Sequence, residues 1–88
     1  MVHDVYSAVG NEVRAKLLLC LSRSSKNVTQ MIHTCGLSQS AVSQHLRKLK
    51  AAGLVSTKKE GKEILYSIKY KRTTEVVRLL TALQQEVV

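Results

Sequence analysis

Residues 37–55, LSQSAVSQHLRKLKAAGLV, decide the fold. Ala41, Val42, Leu46 and Leu49 recur at helical spacing and form an apolar face, opposite Ser40, Ser43, Gln44 and Arg47. Ser38 stands where an N-cap belongs, and the pattern ends at Ala51, Ala52 and Gly53. Short hydroxyls and amides weaken helix interiors by competing for the backbone, and a merely solvated face would carry long charged residues instead. Their crowding onto the first half of this helix therefore calls for a cause other than solubility.

Upstream, Val28, Met31, Ile32 and Cys35 form the inward stripe of a short helix capped by Asn27 and ended by Gly36 in the left-handed conformation. A helix opened by Asn11 precedes it, with Val13, Leu17, Cys20 and Leu21 on one face. Before that, Val2, Val5, Tyr6 and Val9 repeat at i, i+3, i+4 and i+7 up to Gly10. Downstream of Gly53 the period becomes two. Leu54–Lys58 and Glu63–Lys69 read as strands of a hairpin, with Lys59, Glu60, Gly61 and Lys62 as its turn. A last helix capped by Thr73 or Thr74 carries Val76, Leu80, Leu83 and Val87 in a stripe, widened by Val77 and Leu79.

A short helix, a turn containing Gly, a second helix and then a basic hairpin is the order of a winged helix-turn-helix. The expected fold is mainly α with a β-hairpin wing, in the order ααααββα, as one domain over residues 1–88.

Composition agrees with a polyanionic partner. The 88 residues hold 14 Lys and Arg against 6 Asp and Glu, a formal charge of +8. Nine of those basic residues lie between Arg47 and Arg72, opposed there only by Glu60 and Glu63. A recognition helix lies in the major groove, so residues in its N-terminal half must be short enough to approach base edges and able to donate or accept. Gln39, Ser40, Ser43 and Gln44 meet that need, and Gln pairs bidentately with adenine N6 and N7. Ser38 is either a cap alone or also a phosphate contact at the helix N-terminus. Arg47, Lys48, Lys58, Lys59 and Lys62 suit phosphates, which fix register without reading sequence. His45 stands at the margin of the apolar face, open to packing or to DNA.

The segments AVGNEVRAKLLLCLS (8–22, with Arg14), GLSQSAVSQHLRKLKAAGLV (36–55) and KKEGKEILYSI (58–68) resemble the opening, recognition and wing segments of the ArsR/SmtB family of winged-helix repressors. The resemblance implies a homodimer joined by the first and last helices, here through Val2, Val5, Tyr6, Val76, Leu80, Leu83 and Val87. It also implies binding to an interrupted inverted repeat in double-stranded DNA and repression of transcription. Many such relatives sense metals. The positions matching their paired cysteines on the third helix are Asn27 and Thr29, and residues 73–88 hold no His or Asp, so neither usual metal site is expected, and no cofactor. Met1, Val2 and His3 offer only a weak copper or nickel site. Relatives that sense oxidants pair a Cys on the second helix with one on the last, and this last helix has none. Cys20 and Cys35 fall on apolar stripes, where a free Cys usually behaves as a small hydrophobe; a switch using both is the alternative.

Other classes fit less well. Six scattered carboxylates and three isolated histidines form no acid/base pair, phosphate loop or nucleophile motif, so no enzyme is expected. No apolar run approaches the roughly 20 residues that cross a bilayer. With no leader pattern and no disulfide-framework spacing of cysteines, the expected location is the cytoplasm. The rival reading is a winged helix used as a protein-interaction module. The identity of any small-molecule or redox effector is not legible.

Overall fold

A computed structural model describes residues 4–87. Its elements run α1 (Val5–Val9), α2 (Glu12–Arg23), α3 (Val28–Cys35), α4 (Gln39–Ala51), β1 (Val55–Glu60), β2 (Glu63–Ile68) and α5 (Lys71–Val87), the order expected for a winged helix-turn-helix. Val2, the expected interface residue, and the Met1–Val2–His3 terminus lie outside the described residues.

Local chemistry sets most of the boundaries. Asp4 Oδ1 accepts from the Ser7 N–H at 2.7 Å to open α1, and Asn11 Oδ1 accepts from the Arg14 N–H at 3.0 Å to open α2. Asn27 and Gln30 close a reciprocal capping box on α3, at 2.8 and 2.9 Å. Gly36, at φ 68°, ends α3 in the left-handed region that a Cβ would disfavour. At the far end of α4, the Gly53 N–H donates to the Lys50 carbonyl and the Leu54 N–H to the Leu49 carbonyl, both at 3.0 Å. That 5→2 and 6→1 pair is a Schellman motif, and it turns the chain directly into β1.

The core gathers Leu17, Leu18 and Leu21 of α2, Met31 of α3, Val42, Leu46 and Leu49 of α4, and Val77 of α5, with Ala8, Leu54 and Val55 at its edges. Four details differ from the sequence reading. The buried stripe of α2 is Arg14, Leu17, Leu18 and Leu21, while Val13 and Cys20 flank it half-buried. Helix α5 starts at Lys71 rather than at a Thr cap. Thr73 is buried inside its first turn, and Val77, one turn on, is the core contact. The hairpin turn is only Gly61 and Lys62, because Glu60 pairs with Glu63 and Lys59 with Ile64. Gly61, at φ 60°, takes the first central position of a two-residue loop, where a type II′ turn needs positive φ. Finally, Cys20 and Cys35 are joined in a disulfide between α2 and α3, with Cα atoms 6.6 Å apart, rather than packed as free thiols.

Among the described residues no helix is long and apolar enough to cross a membrane.

Candidate nucleic-acid interface

Helix α4 is held by one face and presents the other. Val42 and Leu49 are fully buried and Leu46 nearly so. The exposed side carries Gln39, Ser40, Ser43, Gln44, Arg47 and Lys48. Gln39, Ser43 and Gln44 make no side-chain hydrogen bond among the described residues, so their donors and acceptors are available to a ligand. Ser38 Oγ accepts from the Ala41 N–H at 3.2 Å and lies 3.4 Å from Ser40 Oγ, which gives it the cap role.

The hairpin leaves α4 after three residues, Ala52–Leu54. Lys58, Lys59, Gly61 and Lys62 are all exposed. Alternation along β1 sends Lys58, paired with Leu65, and Lys59, paired with Ile64, to opposite faces, so one surface does not present both. The wing is tied to the body through β2, at Tyr66 in mid-strand and at Glu63 beside the turn. Lys26 and Tyr66 exchange backbone hydrogen bonds at 3.0 and 2.8 Å, and the Asn27 side-chain amide donates to Glu63 Oε1 at 3.0 Å. Lys26 itself is buried, its ammonium donating to the Cys20 and Ser24 carbonyls at 2.8 and 3.3 Å and to Ser24 Oγ at 3.1 Å.

His45 stands apart from the exposed set. It is half-buried, and Arg14 Nη1 donates to its Nδ1 at 3.3 Å. A guanidinium only donates, so this contact requires a neutral ring with its proton on Nε2. Burial, then the positive charges of Arg14 and Lys48, hold the imidazole below its ordinary pKa. Arg14 is the residue that the sequence reading undervalued. It is buried, and it also donates from Nε to the Ala8 carbonyl at 2.9 Å and from Nη2 to the Ser7 carbonyl at 3.0 Å. Those carbonyls belong to the end of α1, where helix oxygens lack internal partners. The sequence signal was there: Arg14 extends the Leu17, Leu18 and Leu21 stripe by one turn, at a position where a charge must find buried acceptors.

The disposition of an exposed, hydrogen-bonding helix face beside a basic hairpin is that of a DNA reader, and the sequence comparison decides its kinship. Residues 11–57, from the cap of α2 into β1, match the profile of the bacterial regulatory proteins of the arsR family. The chain belongs to the ArsR family. This is a family of transcription regulators, not of enzymes. The nodulation protein NolR of Rhizobium meliloti is 42% identical over 77 residues, which are 88% of this chain and 61% of NolR. The transcriptional activator HlyU of Vibrio cholerae is 36% identical over 73 residues, 83% of this chain and 68% of HlyU. The chain thus spans about three fifths to two thirds of the length of these relatives. A crystal structure of a predicted DNA-binding transcriptional regulator from Escherichia coli superposes with a TM-score of 0.78 at 30% identity, covering 90% of this chain and 84% of that one. The ArsR-family winged helix is therefore the architecture of the chain, from α1 through α5.

The remaining sequence candidates lie on α1 and α5. Val76, Leu80, Leu83 and Val87 of α5 are exposed at 42, 39, 55 and 75%, and Val5 and Tyr6 of α1 at 47 and 89%. An apolar face of that extent on one helix is unfavourable in water and points to a covering partner.

Proposed function

We propose that this chain is a sequence-specific DNA-binding transcription regulator, acting as a homodimeric repressor in the cytoplasm. Residues 1–88 serve as one domain whose terminal helices dimerise through Val5, Tyr6, Val76, Leu80, Leu83 and Val87, with Val2 as a further candidate. The recognition segment 38–52 enters the major groove. Gln39, Ser40, Ser43 and Gln44 read base edges, Ser38 and Arg47 with Lys48 hold phosphates, and the wing adds salt-dependent affinity through Lys62 at its turn and through Lys58 and Lys59 on its two opposite faces. The carrying observation is the exposed polar face of α4 over a fully buried Val42 and Leu49, in a chain of the ArsR family. Occupying an operator would exclude polymerase, which makes repression the expected sense of control.

Selection of bound duplexes from a random pool tests this. Recovery of an inverted repeat supports the reading. Weak binding without sequence preference would instead fit a winged helix that contacts another protein.

The joined cysteines favour a second, compatible reading, in which the regulator is thiol-switched. Oxidation of the Cys20 and Cys35 thiols by a peroxide forms the S–S bond between α2 and α3, with the two electrons and two protons reducing the peroxide to water or alcohol and water. Operator affinity measured before and after stoichiometric oxidation, with mass spectrometry of the bond, checks it. Equal affinity in both forms refutes the switch.

A further inference from the structure

One guanidinium touches three helices. Arg14 belongs to α2, donates to the Ser7 and Ala8 carbonyls at the end of α1, and donates to His45 Nδ1 on α4. Helix α1 carries Val5 and Tyr6 of the apolar dimer face, while α4 carries the base-reading residues. The Arg14–His45 contact is thus a direct polar link between the surface proposed to join two copies and the surface proposed to read DNA. Interatomic geometry makes it a conditional link. Nδ1 accepts only while the imidazole is neutral, and a protonated ring would set two cations against each other in a half-buried place.

We propose that Arg14 and His45 are positioning residues, whose contact sets the angle of the recognition helix to the dimerisation helix and so the half-site spacing that the dimer accepts. The inference rests on the DNA-reading proposal above. In this account His45 is neither a base reader nor a phosphate anchor. Its effect passes through Arg14, and α1 contributes only the uncharged carbonyls that hold the guanidinium. The charges acting on the ring are Arg14 from α2 and Lys48 from α4, both of which oppose its protonation. The joint should therefore persist through the ordinary imidazole value, about 6.5, and weaken on acidification below it. A histidine on phosphate would show the reverse, because the anion raises its pKa and favours the bound, protonated ring.

The test has two arms on the full chain. In the first, ¹⁵N NMR of the histidine rings, without DNA and with His45 assigned by the His45→Asn variant, reads the tautomer and titration. The expected result is a neutral Nε2–H ring at pH 7.5 that titrates below the ordinary value; an Nδ1–H ring or a raised pKa overturns the joint. In the second arm, affinity is measured for the selected inverted repeat, for repeats with one base pair added or removed at the centre, and for a random duplex. His45→Leu should lower affinity for the parent repeat about tenfold, within the range usual for coupled sites, and flatten the spacing preference, while leaving the random duplex unchanged. His45→Asn, whose Oδ1 stands near the place of Nδ1, should restore both, and should remove the loss that the natural chain shows between pH 7.5 and 5.5. Equal weakening on repeat and random duplex, or no rescue by Asn, overturns the proposal. Because the ring is read without DNA, a correct tautomer with no operator preference would refute the DNA reading while leaving the Arg14–His45 contact in place.

Discussion

Replacing Leu80 and Leu83 of α5 with Glu probes the dimer that operator reading requires. Fully burying a leucine is worth about 1.5–3 kcal/mol. Leu80 and Leu83 keep 39 and 55% of their surface in the isolated fold, so roughly half of that gain remains for a partner to collect. Each leucine then contributes about 1 kcal/mol on burial, and a two-fold interface buries four of them, for about 4 kcal/mol. At 1.4 kcal/mol per tenfold, losing that alone weakens association by about a thousandfold, before the cost of desolvating four carboxylates. The protomer should survive. Its buried α5 residues, Thr73 and Val77, are untouched; the protomer loses the half of each leucine already buried, about 1 kcal/mol apiece, and about 0.2–0.5 kcal/mol for each new like-charge pair, between positions 80 and 83 and between 83 and 86. Sedimentation equilibrium at micromolar concentration should show monomers with an unchanged far-ultraviolet circular dichroism spectrum. Operator binding should be lost and weak random-duplex binding kept. A folded variant that remains dimeric with natural affinity would refute the assignment of this face.

Three further substitutions address the other parts. Ser43→Ala and Gln44→Ala should each cost about 1–3 kcal/mol at particular base pairs, read by binding to single-position operator variants; equal losses on operator and random DNA would contradict base reading. Lys62→Ala should weaken all duplexes alike and reduce the slope of log affinity against log salt by about one unit, whereas an unchanged slope would remove Lys62 from the phosphate contacts. Gly36→Ala, at φ 68° with nothing within 4 Å of the added Cβ, should destabilise by about 1–2 kcal/mol through backbone strain alone. Urea unfolding with an unchanged m-value checks it, and a neutral result would rule out a left-handed residue there.

Where a boundary depends on neighbours in the chain, the sequence was sufficient. Asn11, Asn27 and Ser38 announce helix starts because the capping oxygen reaches a backbone N–H three residues on, and Gly36 announces a stop because it alone tolerates the left-handed turn at low cost. The recognition helix was legible for the same reason: its apolar and polar residues separate cleanly at a 3.6-residue period. What escaped depended on contacts between distant segments. Arg14 is explicable only once α1 brings its carbonyls and α4 brings His45, six or more positions away. Thr73 looks like a cap, yet α5 already begins at Lys71 and Thr73 is buried within its first turn. Lys59 and Glu60 looked like turn residues by composition, but Gly61 at φ 60° needs only one companion to reverse the chain. The joining of Cys20 to Cys35 follows from the packing of α2 on α3, which no spacing rule for cysteines conveys.

The central claim is that two copies of α4 read successive major grooves of one operator. Dimethyl sulfate protection of guanine N7, a major-groove atom, in the selected duplex tests it most directly. The account predicts two protected patches centred about 10 base pairs, roughly 34 Å, apart on one side of the duplex, both lost with the Leu80 and Leu83 substitutions. A single patch, or protection spread evenly along the duplex, would contradict it.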